Sequence, residues 1–103
     1  MSKKTILKFL KEDITKNIKK IDGWTVKDDL SSIYKIFIFK GFKEAFSWMT
    51  LVSIEAEKLN HHPNWSNVYN KVEVNLSTHD ISGLSKKDFL MASYMDQKFM
   101  SEK

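Results

Sequence analysis

Residues Lys71-Val-Glu-Val-Asn-Leu-Ser77 decide how this chain is read. Val72, Val74 and Leu76 alternate strictly with Lys71, Glu73, Asn75 and Ser77, and a hydrophobic period of two puts one strand face in a core and the other in water. Just upstream, residues 65–68 form a second short run, and Tyr69-Asn70 between the two supplies a turn, so the spacing predicts an antiparallel hairpin. The stretch 33–39, Ile-Tyr-Lys-Ile-Phe-Ile-Phe, is dominated by β-branched and aromatic residues and reads as a strand. Residues 24–26 are a short partner for it, across the polar turn holding Asp28, Asp29, Ser31 and Ser32.

The remaining segments follow a helical period. Ile6, Leu7, Leu10, Ile14, Ile18 and Ile21 recur at threes and fours and predict a helix over 6–21, stopped by Gly23. Over 42–59, Phe42, Ala45, Phe46, Met49, Val52, Ala56 and Leu59 fall on one side of a helical wheel and form the expected core stripe. Trp48, Leu51 and Ile54 lie off that stripe, so this helix offers a second apolar face, expected to serve as a subunit interface. A last helix starts at Ser85 as N-cap, with Asp88 three residues on as a capping box in its Asp form, and presents Met91, Met95 and Phe99 at intervals of four. The order helix, two strands, helix, two strands, helix predicts an α+β two-layer sandwich, in one domain covering residues 1–103.

Composition removes whole classes of function. The chain has no cysteine, which excludes disulfides, thiolate nucleophiles and cysteine-bound metal centres. All 17 of its basic residues are lysine, and lysine lacks the bidentate fork that reads guanine edges, so no direct nucleic-acid contact is expected. The net charge of +4 is uneven: residues 1–43 hold 11 lysines against 5 acids, and residues 44–103 hold 6 against 8. The N-terminal residues 1–11 interleave lysines with apolar residues instead of forming a leader's continuous apolar run, and no segment is long and apolar enough to span a membrane. A soluble intracellular protein is the expectation.

Three histidines remain as the groups that can move protons near neutrality. His61 and His62 lie just beyond the second helix, and His79 just beyond the alternating strand. If those two ends meet, three imidazoles surround one small cleft, with Glu57, Asp80 and Asp88 as neighbouring carboxylates. Adjacent histidines diverge and no His-x-x-x-His spacing is present, so general acid/base chemistry is favoured over a metal site. For Glu57, one turn before His61, orienting an imidazole and standing as an ordinary exposed carboxylate are both open. Asp88 is assigned to the capping box first and to site support second, while Trp24 and Trp65 are ordinary core candidates.

The segments Ala56-Glu-Lys-Leu-Asn-His-His-Pro-Asn-Trp65, Val68-Tyr-Asn-Lys-Val72, Leu76-Ser-Thr-His-Asp80 and Gly83-Leu-Ser-Lys-Lys-Asp88 resemble the pterin-4a-carbinolamine dehydratases. Similarity extends upstream through Gly23-Trp24, the 33–39 strand and the start of the 42–59 helix, so it covers nearly the whole chain. The resemblance implies a four-stranded antiparallel sheet with helices on one face, and a homodimer or homotetramer, here through the 42–59 helix. It implies dehydration of a 4a-hydroxytetrahydropterin to the quinonoid dihydropterin in the cytoplasm, in support of tetrahydrobiopterin recycling, with no metal, nucleotide or redox cofactor. It places His61, His62 and His79 as catalytic residues, with Asn60, Ser77, Thr78 and Asp80 joining them in substrate contact; Glu57, Asp88 and Trp65 are candidates for a supporting role from their positions in the chain. Relatives commonly carry an acid at position 60, so no charged role passes to Asn60. Some animal members also act as dimerisation cofactors that bind a helical segment of a transcription factor, a role for which the Trp48, Leu51 and Ile54 face is the relevant feature and the nucleus a second compartment.

Overall fold

The computed structural model describes residues 6–102, the side chains of 101 and 102 excepted. Residues 1–5, part of the stretch read above for the absence of a leader, lie outside the described residues. The elements run α1 (Lys11–Ile18), β1 (Thr25–Val26), β2 (Ile33–Ile38), α2 (Phe42–Leu59), β3 (Asn64–Val68), β4 (Lys71–Leu76), a 3-10 turn (His79–Ile81) and α3 (Lys86–Glu102). All neighbouring strands are antiparallel, in the order β1-β2-β4-β3. This is the α+β architecture expected from the order of segments.

Register explains which face is buried. Ile33, Lys35 and Phe37 of β2 stand opposite Leu76, Val74 and Val72 of β4, and Trp65 of β3 stands opposite Val74. Ile33, Phe37, Val72, Val74 and Leu76 are buried and form the core with Ala45, Trp48, Val52 and Ala56 of α2 and Met91, Ala92 and Met95 of α3. Lys35 shares this face because its charge is matched: Nζ lies 2.8 Å from Asp96 Oδ1 and donates to the Asp22 carbonyl. Asp96 also accepts from the Trp24 indole N–H at 3.0 Å, so one carboxylate ties the start of β1 to α3. At the β1–β2 turn the Asp29 carboxylate accepts from the hydroxyl and the N–H of Ser31, which holds its carboxyl below the ordinary carboxylate range.

Two expectations are corrected. The first helix is only Lys11–Ile18, and residues 6–10 precede it without regular secondary structure. There Phe9 N–H donates to the Leu84 carbonyl at 2.7 Å and its ring stacks on Phe89 at 5.7 Å, while Asp13 accepts the Leu10 N–H at 2.9 Å and sets the helix start. Leu7 and Leu10, whose spacing contributed to the expected helical period, are exposed. Tertiary contact with the α3 entry outweighs periodicity here.

In α2, Trp48 belongs to the core and not to a second face. It is fully buried, its indole N–H donates to the Met95 carbonyl at 3.0 Å, and its ring packs on Phe37 at 4.6 Å. Phe42 and Phe46, expected on the core stripe, are exposed and contact each other at 5.6 Å. The buried line Ala45, Trp48, Val52, Ala56 is rotated from the wheel's stripe because α2 is covered by α3 as well as by the sheet. An exposed apolar strip does remain, made of Phe42, Phe46 and Ile54.

Candidate active site

The site forms where α2 ends, β4 ends and α3 begins. Asn60 closes α2 in the left-handed region, φ 51°, a conformation asparagine tolerates better than most residues. Its N–H bonds the Glu57 carbonyl at 3.2 Å, and the His61 N–H reaches back to the Ala56 carbonyl at 3.0 Å. This pair of bonds is the Schellman helix ending. It turns His61 inward, leaves His62 outward, and is followed by Pro63, which prevents the helix from resuming.

His61 meets the N-terminus of α3. Its Nε2 lies 2.6 Å from Asp88 Oδ1, with the imidazole nearly buried and Asp88 fully so. The other carboxylate oxygen of Asp88 accepts from Thr78 Oγ1 at 2.7 Å and from the Ser85 N–H at 3.0 Å. Ser85 is the N-cap expected, and its Oγ accepts from the Lys87 N–H at 3.3 Å. The directions of these bonds are determined by valence. Thr78 spends its proton on Asp88, so across the 2.6 Å Thr78–Ser85 contact Ser85 must donate. Against an ionised carboxylate, which only accepts, His61 Nε2 is the donor, and Nδ1 is then the nitrogen open to proton exchange.

His62 also holds a carboxylate at 2.6 Å, Glu57 Oε2, but both side chains are largely exposed. Thus Glu57 is at once an exposed helix carboxylate and a partner for an imidazole. His79 opens the 3-10 turn and is exposed. A cavity of about 340 Å³ brings Asn60, His61, His62, Ser77, Thr78, His79 and Asp80 together, joined by Ile6 and Lys87. The two ends that carry the histidines therefore do meet.

Of the remaining residues singled out from sequence, Asp88 and Glu57 stand behind histidines and do not line the cavity. Trp65 is packed against the core beside Trp48, at 6.1 Å between rings, away from the cavity. Ile6 and Lys87 went unnoticed in the sequence: Ile6 was counted into the first helix, which starts only at Lys11, and Lys87 is one lysine among 17. Among the described residues no group of three or more His, Asp or Glu side chains is arranged to hold a metal ion.

With this geometry in view, comparison with known proteins is specific. A family model described as "Pterin 4 alpha carbinolamine dehydratase" matches residues 8–98. The chain belongs to this family. A relative from Sinorhizobium fredii is 55% identical over 86 residues, covering 84% of this chain and 82% of its own. The pterin-4-alpha-carbinolamine dehydratase of Drosophila melanogaster is 53% identical over 74 residues, 72% of this chain and 38% of that longer protein. Among solved structures, a transcriptional coactivator/pterin dehydratase from Brucella melitensis superposes with a TM-score of 0.85 at 36% identity, over 88% of this chain and 97% of its own.

Proposed function

We propose that the protein dehydrates a 4a-hydroxytetrahydropterin to the quinonoid dihydropterin. The observation that carries this reading is the cavity lined by all three histidines, one of them backed by the buried Asp88. The reaction breaks one C–O bond and forms one C=N bond: an acid protonates the departing 4a-hydroxyl, which leaves as water, and a base takes a ring N–H proton. It is neutral in electrons, so proton-carrying groups at two points of the ring are sufficient. His61 and His79 are assigned those roles, on α2's end and β4's end respectively, and His62 positions the ring. Asp88 holds His61 in the tautomer that leaves Nδ1 to transfer the proton. Asn60, Ser77, Thr78 and Asp80 offer polar contacts to the pterin's own donors and acceptors.

The test is an absorbance assay of quinonoid dihydropterin formation from a carbinolamine without added metal. His61→Ala and His79→Ala are each expected to lower kcat by about 10²- to 10⁴-fold, the usual worth of a positioned acid or base, with circular dichroism unchanged. Wild-type protein that gives no acceleration, or full activity in a variant lacking all three histidines, would refute the assignment.

Residues 1–103 act as one domain in the cytoplasm, serving tetrahydrobiopterin recycling; among the described residues no helix is long and apolar enough to cross a membrane. The exposed strip of Phe42, Phe46 and Ile54 on α2 supports self-association of the chain through this helix. Phe46→Lys should then lower the sedimenting mass, and an unaltered mass would remove α2 from the interface. The same strip is where a transcription-factor helix would compete, a reading favoured only by the coactivator named for the Brucella melitensis structure.

A further inference from the structure

A second cavity, of about 310 Å³, lies at the same end of the sheet. Ser77 and His79 line both spaces, so the two cavities flank one stretch of backbone. The second opens on the sheet face turned away from the helices. Asn64 and Asn75, which line it, are direct cross-strand partners there, and Asn75 also stands opposite Tyr34. Lys27 and Ser32 reach it from the β1–β2 turn, and Ser82 from the turn that follows His79.

Its lining is polar, with hydroxyls and carboxamides predominating beside Lys27 and His79. The side chains of Ser32, Asn64, Asn75, Ser77 and Ser82 make no hydrogen bond to any other described residue, and no aliphatic side chain contributes to the wall. Hydroxyls and carboxamides both donate and accept, the capacity needed to recognise vicinal alcohols. Lys27 is the only lysine in the lining, and Asp29 shares its turn, so positive charge is not concentrated as an anion site would require.

We propose that this second cavity is a subsite for a neutral, hydroxylated substituent at C6 of the pterin, with Asn64 and Asn75 determining specificity. The inference rests on the dehydratase reading. The ring occupies the histidine-lined cavity, and its C6 substituent passes Ser77 and His79 to reach the carboxamides on the open face of the sheet.

The experiment is calorimetric binding of two 7,8-dihydropterins, one with a dihydroxypropyl and one with a methyl group at C6, to wild-type, Asn64→Ala and Asn75→Val proteins. The wild type is expected to favour the dihydroxypropyl compound by about tenfold, the worth of one or two net hydrogen bonds. Either substitution should bring that ratio to within about threefold of unity, on the same scale. Using the ratio cancels any general loss from altered folding, and valine preserves strand propensity at position 75. A wild-type ratio near one, a ratio that survives both substitutions, or no binding of either compound overturns the subsite. Tighter binding of a phosphate ester at the substituent, abolished by Lys27→Ala, would mark an anion site and overturn it too. Binding needs no turnover, so a protein that discriminates by the carboxamides yet dehydrates nothing refutes the dehydratase reading alone.

Discussion

His61–Asp88 and His62–Glu57 are the same contact by distance, 2.6 Å between an imidazole nitrogen and a carboxylate oxygen, formed by adjacent residues of one turn. They differ in solvent. The imidazole of the first is 7% exposed and its carboxylate 0%, against 59% and 77% in the second. A buried pair cannot trade its partner for water, so removing one member strands the other. An exposed pair can, and its attraction is screened. Contact length therefore says little about which histidine is held in a defined state; burial and the remaining bonds of the carboxylate decide it.

The comparison can be tested by taking the pairs apart in order of expected effect. Asp88→Ala leaves the His61 imidazole, the Thr78 hydroxyl and the Ser85 N–H without their acceptor. Urea denaturation should show a loss of about 3 to 5 kcal/mol, as for other broken buried pairs. Thr78→Val removes one donor to Asp88 and the acceptor of Ser85 while keeping the shape, and is expected to cost about 1 to 3 kcal/mol in the same measurement. Glu57→Gln breaks only the exposed pair and should stay within about 1 kcal/mol of wild type. If Glu57→Gln proved as costly as Asp88→Ala, burial would not be what separates the two sites. If Thr78→Val were neutral, the Asp88 network would be less tightly coupled than its geometry implies.

The elements nearest the site were the most legible in the sequence. Strict alternation over 71–77 specifies a half-buried strand, because a slip of one residue would expose every apolar side chain. The α2 limits were equally readable, with Gly41 before Phe42 and Asn60 after Leu59, and the Ser85–Asp88 capping box stood in the chain as a local signal. What the sequence hid was non-local. Residues 6–10 carry helical spacing, yet Phe9 bonds to Leu84, 75 positions away. Trp48 fell outside the wheel's stripe because a wheel assumes one covered face, and α3 covers a second. The site shows the same division: histidines stand out by scarcity and by their position at element ends, and Asp88 was legible as a cap with site support second, but which of the three imidazoles its carboxylate would hold was set by the non-local packing of α2's end on α3.

The left-handed backbone at Asn60 has an evolutionary consequence. Because φ is 51° there, the acceptable alphabet at position 60 is set before any substrate has a say. Glycine fits freely, asparagine and aspartate fit at modest strain, and a β-branched side chain is the most strained choice in the turn that aims His61 at Asp88. An acid and an amide of the same length are interchangeable as far as this main chain is concerned, so exchanging Asn60 for aspartate would change the charge at the cavity without disturbing the turn.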